Sequence, residues 1–438
     1  MATTLAANVD LKSAIAEAEA RFAEANPISR QAYNAATSVM PGGNTRTVLF
    51  YPPFPLAVAK GHGVRVTDAD GHDYLDVVGE FTAGLYGHSH PVIMAAIRRA
   101  LDDGIVLGGH NLVEAKLADA VCARFPSIER VRFTNSGTEA NLMALTAARA
   151  FTGRDTILAM QGGYHGAVFY FANPASPINA PFPFVFGGYN DAEGCRQLIR
   201  QHADRLAAVI LEPMFGSAGC IRAEPEFLKM LREETRKVGA LLIFDEVMTS
   251  RLTPGGLQTD VGVTPDLTSL GKYIGGGLSF GAFGGRTDIM DQFDPRRPDA
   301  LPHAGTFNNN ILTMSAGLAG LTQVYTKEAA LALNARGEAL RGRLNALAAK
   351  HALPVQFTGF GSMLAIHFRA GAVRSFADAQ AGRNELKPLL QLDLFQRELY
   401  SGRRGMYVLS LPMTEADMDT IVEAFEEFFT ARRRLLAA

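Results

Sequence analysis

The chain has 438 residues and a formal net charge of −2 at pH 7, with 47% hydrophobic and 20% charged residues. This near-neutral composition, without a long basic block, argues against nucleic acid or an anionic membrane as the main partner. The length predicts two domains with a large central one. Three cysteines in no CxxC arrangement, no secretory signal pattern and no apolar run of the roughly 18 residues that span a membrane predict a cytoplasmic protein.

The first part of the chain predicts an amphipathic helix over 11–25 and a small hairpin over 64–78 that turns at Asp70-Gly71. From about residue 110, short apolar strands alternate with helices, which predicts a doubly wound α/β domain with a mostly parallel sheet. The predicted strands are 130–134, 156–160, 207–212, 240–245, 266–270 and 281–285, and the predicted helices between them are 137–153, 194–206 and 224–239.

The last hundred residues predict a long helix over 327–351, strands joined by a turn over 354–369, and a final helix over 414–436. Arg432, Arg433 and Arg434 fall in the last turns of that helix, where its dipole favours cations. We therefore expect residues 1–75 and 331–438 to form a smaller α+β domain and residues 76–330 to form the large one.

Polar residues follow five of the predicted strands at the point where each strand ends. Ligands of an open parallel sheet bind beyond the carboxyl ends of its strands, so these residues predict a binding site at one edge. They are 135–138, 161–166, Glu212, 245–246 and Lys272.

Lys272 carries the only charge between Asp266 and Gly285, a segment with seven glycines. A desolvated lysine has a lowered pKa and acts as a nucleophile towards carbonyl groups. The alternative is a loop lysine that extends its amine into water. Its position at a strand exit and its neutral surroundings favour the chemical interpretation.

The other strand exits each have a structural alternative. The segment 136–138 opens a helix and suits a phosphate, although simple N-capping is the better explanation of this segment taken alone. Asp245 follows five apolar residues and needs a cation, which a protonated ring nitrogen or an ordinary salt bridge would supply. Tyr164 and His165 would cover a flat ligand or pack in the core. No dinucleotide motif and no metal-ligand spacing is present, so we predict no metal site.

Three segments together resemble the class III aminotransferases of pyridoxal phosphate fold type I. They are LLIFDEVMTSR at 241–251, DLTSLGKYIGGGLSFGAFGG at 266–285 and AGTFNNN at 304–310. NTRTVLFYPPFP at 44–55 and FTNSGTEANLMALTAARAFTG at 133–153 extend the resemblance to the bacterial β-phenylalanine aminotransferases within that family. Glutamate-1-semialdehyde aminomutases share much of this pattern, but AGTFNNN departs from their GTxxGNP form.

The resemblance implies an α/β fold whose large domain has a mostly parallel seven-stranded sheet flanked by helices. It also implies pyridoxal 5′-phosphate as cofactor and a homodimer with active sites at the interface. Lys272 would be the catalytic residue that holds the cofactor covalently and moves a proton between the substrate carbon and the cofactor. Asp245 would pair with the pyridinium nitrogen, and Glu212 would lie near the phenolic side of the ring.

The remaining cofactor contacts implied by the resemblance surround the ring and the phosphate. Val247 would lie under the ring and Tyr164 over it, and His165 would also be among the cofactor-binding residues. The residues that would hold the phosphate are Ser136, Gly137 and Thr138, with Thr306 reaching the phosphate of the neighbouring subunit's cofactor.

Substrate specificity would rest on two arginines, because a guanidinium matches a carboxylate with two hydrogen bonds. The resemblance implies Arg46 for the distal carboxylate and Arg404 for the α-carboxylate of the acceptor, with Arg403 as the alternative to Arg404. Without the resemblance, both would be interpreted as surface residues. Candidates for a phenyl pocket are Tyr51, Phe54, Phe81 and Tyr86.

These observations predict transamination of β-amino acids, above all aromatic ones, with 2-oxoglutarate or pyruvate as amino acceptor. The alternatives are an aminomutase, a decarboxylase or racemase with the same cofactor, and a binding module that keeps only the fold. The presence of Lys272 and Asp245 argues against the binding module, and the two arginines argue mildly against decarboxylation.

Overall fold

The computed structural model describes residues 10–437, in which helices and strands alternate through the middle of the chain. The helices are α1 Leu11–Ala25, α2 Pro27–Thr37, α3 Pro91–Asp102, α4 Leu112–Arg124, α5 Gly137–Thr152, α6 Ala192–Gln201, α7 Pro225–Val238, α8 Leu257–Val261, α9 Thr287–Met290, α10 Ile311–Ala319, α11 Lys327–Lys350, α12 Phe376–Gln380, α13 Lys387–Phe395, α14 Glu415–Ala431 and α15 Arg433–Ala437. The strands are β1 Val58–His62, β2 Arg65–Asp68, β3 Asp73–Asp76, β4 Arg130–Thr134, β5 Thr156–Met160, β6 Phe184–Gly187, β7 Leu206–Leu211, β8 Met214–Phe215, β9 Ile221–Arg222, β10 Leu241–Asp245, β11 Leu267–Gly271, β12 Gly281–Gly285, β13 Gln356–Phe360, β14 Met363–His367, β15 Leu399–Tyr400 and β16 Met406–Val408.

A seven-stranded sheet in the order β4-β12-β11-β10-β7-β5-β6 forms the centre of the molecule. Its pairs are parallel except for β12, which runs antiparallel to both β11 and β4. Every residue of β5, β7, β10, β11 and β12 is buried, as expected for strands covered by helices on both faces. The predicted mostly parallel α/β sheet is confirmed.

Parallel register places the functional strand exits side by side. Asp245 at the end of β10 lies opposite Ser269 of β11, and β11 ends two residues later at Gly271, just before Lys272. The six predicted strands are present with ends that shift by at most one residue. Strand β6 was not predicted, because its four residues directly follow a proline-rich stretch.

Segments from both ends of the described chain meet outside this sheet. β3 pairs in parallel with β15, so a sheet in the order β1-β2-β3-β15 joins early and late residues. Phe22, Tyr51 and Phe54 pack with Phe395 in one buried aromatic cluster. This agrees with a small domain built from both termini, while the boundaries at 75/76 and 330/331 stay predictions.

The predicted place of Arg432 within the last turns of a single final helix over 414–436 is wrong. Helix α14 ends at Ala431, and Arg432 is buried with its guanidinium 2.8 Å from the carboxylate of Asp393 in α13. Tertiary pairing therefore decides the place of this arginine. No helix among residues 10–437 combines the length and apolar character needed to cross a bilayer.

Candidate active site

A cavity of about 440 Å³ opens at the carboxyl edge of the sheet and brings most of the predicted site residues together. Its lining includes Lys272 and residues from six other chain segments, several of which follow strands of the sheet, as expected where parallel strands end side by side. The predicted residues in this lining are Arg46, Ser136, Gly137, Thr138, Tyr164, His165, Glu212, Asp245, Val247 and Lys272.

Lys272 is half-buried and follows β11 directly, with a left-handed backbone at φ 58°. Its amine makes no hydrogen bond or ion pair with any residue of the described chain. Burial lowers the pKa of Lys272 from its ordinary value, and the neighbouring carboxylates, Glu80 foremost, oppose this shift only in part. A desolvated and unpaired amine on a backbone held in a strained conformation is suited to act as a nucleophile and a base.

Asp245 is 3% exposed, and three hydrogen bonds fix its carboxylate. Nδ2 of Asn141 and Nδ1–H of His165 donate to Oδ2 at 2.7 and 2.8 Å, and the Val247 N–H donates to Oδ1 at 3.0 Å. Asn141 Nδ2 also donates to the His165 carbonyl, so the two orienting residues hold each other. The carboxylate still has no permanent cation among the described residues, and it therefore suits a cationic N–H donor from a ligand.

The N-terminus of α5 forms another wall of the cavity. Ser136 is the N-cap, and its Oγ accepts the Glu139 N–H at 3.2 Å, so the capping interpretation is correct for this side chain. The N–H groups of Gly137 and Thr138 have no partner within the helix and remain available to an anion. A Cβ on Gly137 would lie 2.9 Å from the methyl groups of Val247, so glycine is required for this close approach.

Glu212 lies at the end of β7 with 3% exposure. Its carboxylate accepts the Tyr164 N–H at 3.1 Å and the Gly216 N–H at 2.9 Å. Burial raises the pKa of Glu212 to about 7, with the nearby Asp245 charge acting in the same direction. Near neutral pH this residue can therefore either hold or release a proton beside the cavity.

Val247 and Tyr164 both line the cavity, one with an aliphatic and one with an aromatic side chain. Val247 contacts the backbone of β11 and α5, since added Cβ atoms at Gly271 and Gly137 would meet its methyl groups. The Tyr164 ring packs edge-on against Tyr170, with centroids 5.4 Å apart. An aliphatic surface and an aromatic ring suit a flat heteroaromatic ligand.

Arg46 forms an exposed ion pair with Glu80 beside Lys272. Both residues line the active-site cavity and also a second cavity of about 430 Å³ next to it. Glu80 lies in a run, Gly79–Thr82, in which all four residues have positive φ. Left-handed backbone in non-glycine residues is costly and persists where the surrounding structure enforces it, so the position of Glu80 is held by the fold.

Two predicted site residues lie outside this cavity. Thr306 is exposed in a small recess of about 120 Å³ with Val106 and Phe307, and its predicted target belongs to a neighbouring subunit. Arg404 lies in the loop between β15 and β16, with its guanidinium 5.8 Å from the Tyr170 ring centroid. The Tyr170 ring also packs edge-on against Tyr164, which lines the cavity.

Several residues of the site were not predicted from the sequence. Asn141 lies four residues after Gly137 on the same face of α5, and this spacing would have identified it. Glu80 has no such signal. Three of the phenyl-pocket candidates, Tyr51, Phe54 and Tyr86, are core residues. The fourth, Phe81, lines the neighbouring cavity of about 430 Å³ together with Arg46, and not the active-site cavity itself.

Comparison with known proteins identifies the family of this chain. The family description "Aminotransferase class-III" matches residues 50–385. The chain belongs to the class III aminotransferases. Class III aminotransferases use pyridoxal 5′-phosphate, and a solved relative that is 34% identical is described as a transaminase with this cofactor bound.

Individual relatives match this class III chain over nearly its whole length. A β-phenylalanine transaminase of Variovorax paradoxus is 54% identical over 97% of this chain and 98% of its own. The crystal structure of a β-phenylalanine aminotransferase from that organism superposes with a TM-score of 0.96, covering 98% of this chain and 99% of the other. An ω-transaminase of Sphaerobacter thermophilus is 37% identical, with a TM-score of 0.87 and coverage of 93% and 97%.

The glutamate-1-semialdehyde aminomutase of Pseudomonas aeruginosa shares the fold with a TM-score of 0.89 and coverage of 96% and 98%. Its identity to this chain is 24%, so it bears on the fold alone.

The residues of this aminotransferase fit pyridoxal phosphate in their chemistry. Asp245 lines the cavity, is 3% exposed and has no permanent cation among the described residues. The free N–H groups at the start of α5 match a phosphate, and Lys272 matches an aldehyde. When bound, the cofactor withdraws electrons from the carbon that carries the amine.

Proposed function

We propose that this aminotransferase accepts β-amino acids, above all aromatic ones such as β-phenylalanine, and passes the amine to 2-oxoglutarate or pyruvate. The observation that carries this proposal is the 54% identity over 97% of the chain to the β-phenylalanine transaminase of Variovorax paradoxus. The structure adds a guanidinium beside the reactive lysine and an apolar part of the cavity wall formed by Ala83, Leu278 and Phe280.

Arg46 is the proposed anchor for the carboxylate of the donor. Its partner Glu80 is itself a carboxylate, and the pair is exposed, with side chains 46% and 56% accessible. An exposed ion pair contributes little to stability, so an incoming carboxylate can take the place of Glu80 at small cost. Arg46 thus selects donors that carry a carboxylate at a distance from the amine set by the separation of Arg46 and Lys272.

Lys272 is the proposed base that removes the proton from the substrate carbon and returns it elsewhere. Burial lowers the pKa of Lys272, so more of its amine is unprotonated near neutral pH. Asp245, fixed by Asn141 and His165, supplies the negative charge that keeps a ring nitrogen protonated. Ser136, Gly137, Thr138, Tyr164, Glu212 and Val247 are the other proposed cofactor contacts.

Arg404 is the proposed partner of the acceptor's α-carboxylate. The residue makes no ion pair within the described chain, and its guanidinium lies over the Tyr170 ring, which itself packs edge-on against Tyr164. A guanidinium held only by an aromatic face can move to a carboxylate at little cost. Arg403, its neighbour, remains the alternative.

A homodimer is proposed from an apolar surface patch around Thr306. Five apolar side chains are exposed there: Ile105 by 48%, Val106 by 82%, Leu107 by 53%, Leu112 by 84% and Phe307 by 60%. Such a patch marks a protein interface. Asn308 Oδ1 accepts a hydrogen bond at 2.9 Å from Asn135 at the cavity edge, which ties the patch to the site.

Three free cysteines support a cytoplasmic location.

The dimer is tested with Val106→Asp in sedimentation velocity runs. We expect a shift to monomer, because a buried unpaired carboxylate disfavours the interface. Ile178→Asp, at a residue 63% exposed and outside the patch, is the matched control and should not change the sedimentation. An unchanged Val106→Asp dimer would reject this patch as the interface.

The function is tested by mixing the purified holoenzyme with β-phenylalanine, with and without 2-oxoglutarate, and measuring glutamate. Glutamate formed only in the presence of both supports the proposal, and alanine formed with pyruvate instead would change the acceptor. Conversion of the cofactor by β-phenylalanine without product in either assay points to another keto acid. No spectral response to β-phenylalanine removes it as a substrate, and turnover of an amino acid without any acceptor would indicate an aminomutase.

A further inference from the structure

A third, polar cavity of about 560 Å³ is lined by Gly162 and Tyr170, which flank the residues 164–166 of the active-site cavity. It shares no lining residue with the active-site cavity. Three cationic side chains face it, those of Lys387, Arg403 and Arg404, and Glu385 is the only acidic residue in its described lining. The cavity therefore has an excess of positive charge.

These three cations lack compensation within the described chain. None of them makes a hydrogen bond or an ion pair with another described residue, and only Arg404 has a ring contact, with Tyr170. Two buried arginines elsewhere differ in this respect, since Arg232 pairs with Asp266 at 2.8 Å and Arg432 pairs with Asp393 at 2.8 Å. A concave site with unpaired cations attracts anions.

Lys387 is the least expected of the three. It is the first residue of α13, where the helix dipole disfavours a cation, and its stem packs near Gly405 in a half-buried position. Burial lowers the pKa of Lys387 to about 8, so the amine is still charged at neutral pH. A fold that keeps this charge in place without a partner leaves it free for an external anion.

We propose that this cavity binds a small dianion, either a dicarboxylate or inorganic phosphate. Lys387 and Arg403 contact this anion in the cavity. Arg404 is shared, because it contacts either this anion or the α-carboxylate of the acceptor in the active site. An anion bound there holds Arg404 away from the active site. High concentrations of a dicarboxylate acceptor would then slow the second half of the reaction. This consequence for turnover rests on the proposed function of Arg404, whereas the binding itself does not.

Isothermal titration of the holoenzyme with inorganic phosphate, and separately with succinate, tests the proposal. In the holoenzyme the cofactor's own phosphate occupies the N-terminus of α5, so the N–H groups there do not compete for the added anion. We expect binding to wild-type enzyme that weakens about 10- to 100-fold in both Lys387→Met and Arg403→Gln, the range for loss of a charged hydrogen bond. Arg30→Gln, which removes an exposed arginine without a side-chain hydrogen bond or ion pair, is the control and should bind as wild type.

Several results would overturn the proposal. They are the absence of heat with either anion, equal affinity in Lys387→Met, Arg403→Gln and wild type, equal weakening in Arg30→Gln, and a loss of binding only in Arg46→Gln, which would place the anion at the substrate site. Binding of phosphate alone or succinate alone decides the class of ligand. Because the readout is heat of binding, the result stands even if β-amino acids prove not to be the substrates.

Discussion

Lys272 and Lys387 are both half-buried, and burial lowers the pKa of each. Their surroundings differ. Lys272 faces a cavity that also presents Asp245, Glu212 and Glu80, whereas the exposed Glu385 is the only acidic residue among the described residues that line the cavity of Lys387. Desolvation alone therefore does not define a catalytic lysine. The carboxylates around it determine whether a cationic cofactor and its protons can be accommodated, or whether an anion is attracted instead.

The largest expected difference between the two lysines is in activity. Lys272→Ala removes the proposed nucleophile and base, and we expect turnover to fall by at least about 10²–10⁴-fold, the range for general acid–base catalysis. Initial rates with β-phenylalanine and 2-oxoglutarate check this, together with the loss of the yellow absorbance of the bound cofactor. Lys387→Ala is the matched control and should keep both. Equal loss in the two variants would erase the distinction.

The next largest difference is expected between Arg46 and Arg403, in their effect on the KM for the donor. Arg46→Gln removes a charged hydrogen-bond donor from the proposed donor site, and we expect KM for β-phenylalanine to rise about 10- to 100-fold. Steady-state kinetics at saturating acceptor measure this change. Arg403→Gln should leave the KM for the donor unchanged. A fall in kcat without a change in KM for Arg46→Gln would contradict its role as a carboxylate anchor.

Glu212 should give the active-site cavity its own pH dependence of stability. The pKa of Glu212 in the folded protein is raised to about 7, above the ordinary 4.5. Its contribution to the free energy of unfolding is therefore complete below pH 4.5 and is lost as the pH rises to 7. We expect wild-type enzyme to lose roughly 3 kcal/mol over this window relative to Glu212→Gln, from the size of the shift. Tm values across pH 4.5 to 7 test the relative slope, and parallel curves would refute it.

Lys387 should show the smallest effect, with the opposite sign. Its folded pKa is lowered to about 8 from 10.5, so stability is lost as the pH falls through 8 and is regained towards 10.5. We expect Lys387→Met to be more stable than wild type at pH 7 by about 1–2 kcal/mol, because an unpaired desolvated charge is removed. Chemical unfolding at pH 7 and pH 10 measures the difference. A Lys387→Met enzyme that is less stable at pH 7 would show that the charge has a partner.

The site could be predicted from the sequence as far as it depends on strand exits. Asp245 and Lys272 follow short apolar strands, and parallel pairing then requires them to lie at one edge. Asn141 and Glu80 were missed because their roles come from contacts across the cavity. The pairing of Asn141 with Asp245 spans 104 residues, which no local pattern reports.

The sequence by itself determined the alternation of buried strands and helices and the family, and it predicted most of the residues that line the active-site cavity. These features follow from local periodicity and from short motifs whose spacing is set by the backbone. Only the tertiary structure decided that Arg432 pairs with Asp393, that Tyr51, Phe54 and Tyr86 belong to the core, and that Lys387 shares a cavity with Arg403 and Arg404. The physical reason is that burial and charge pairing depend on which distant segments pack together.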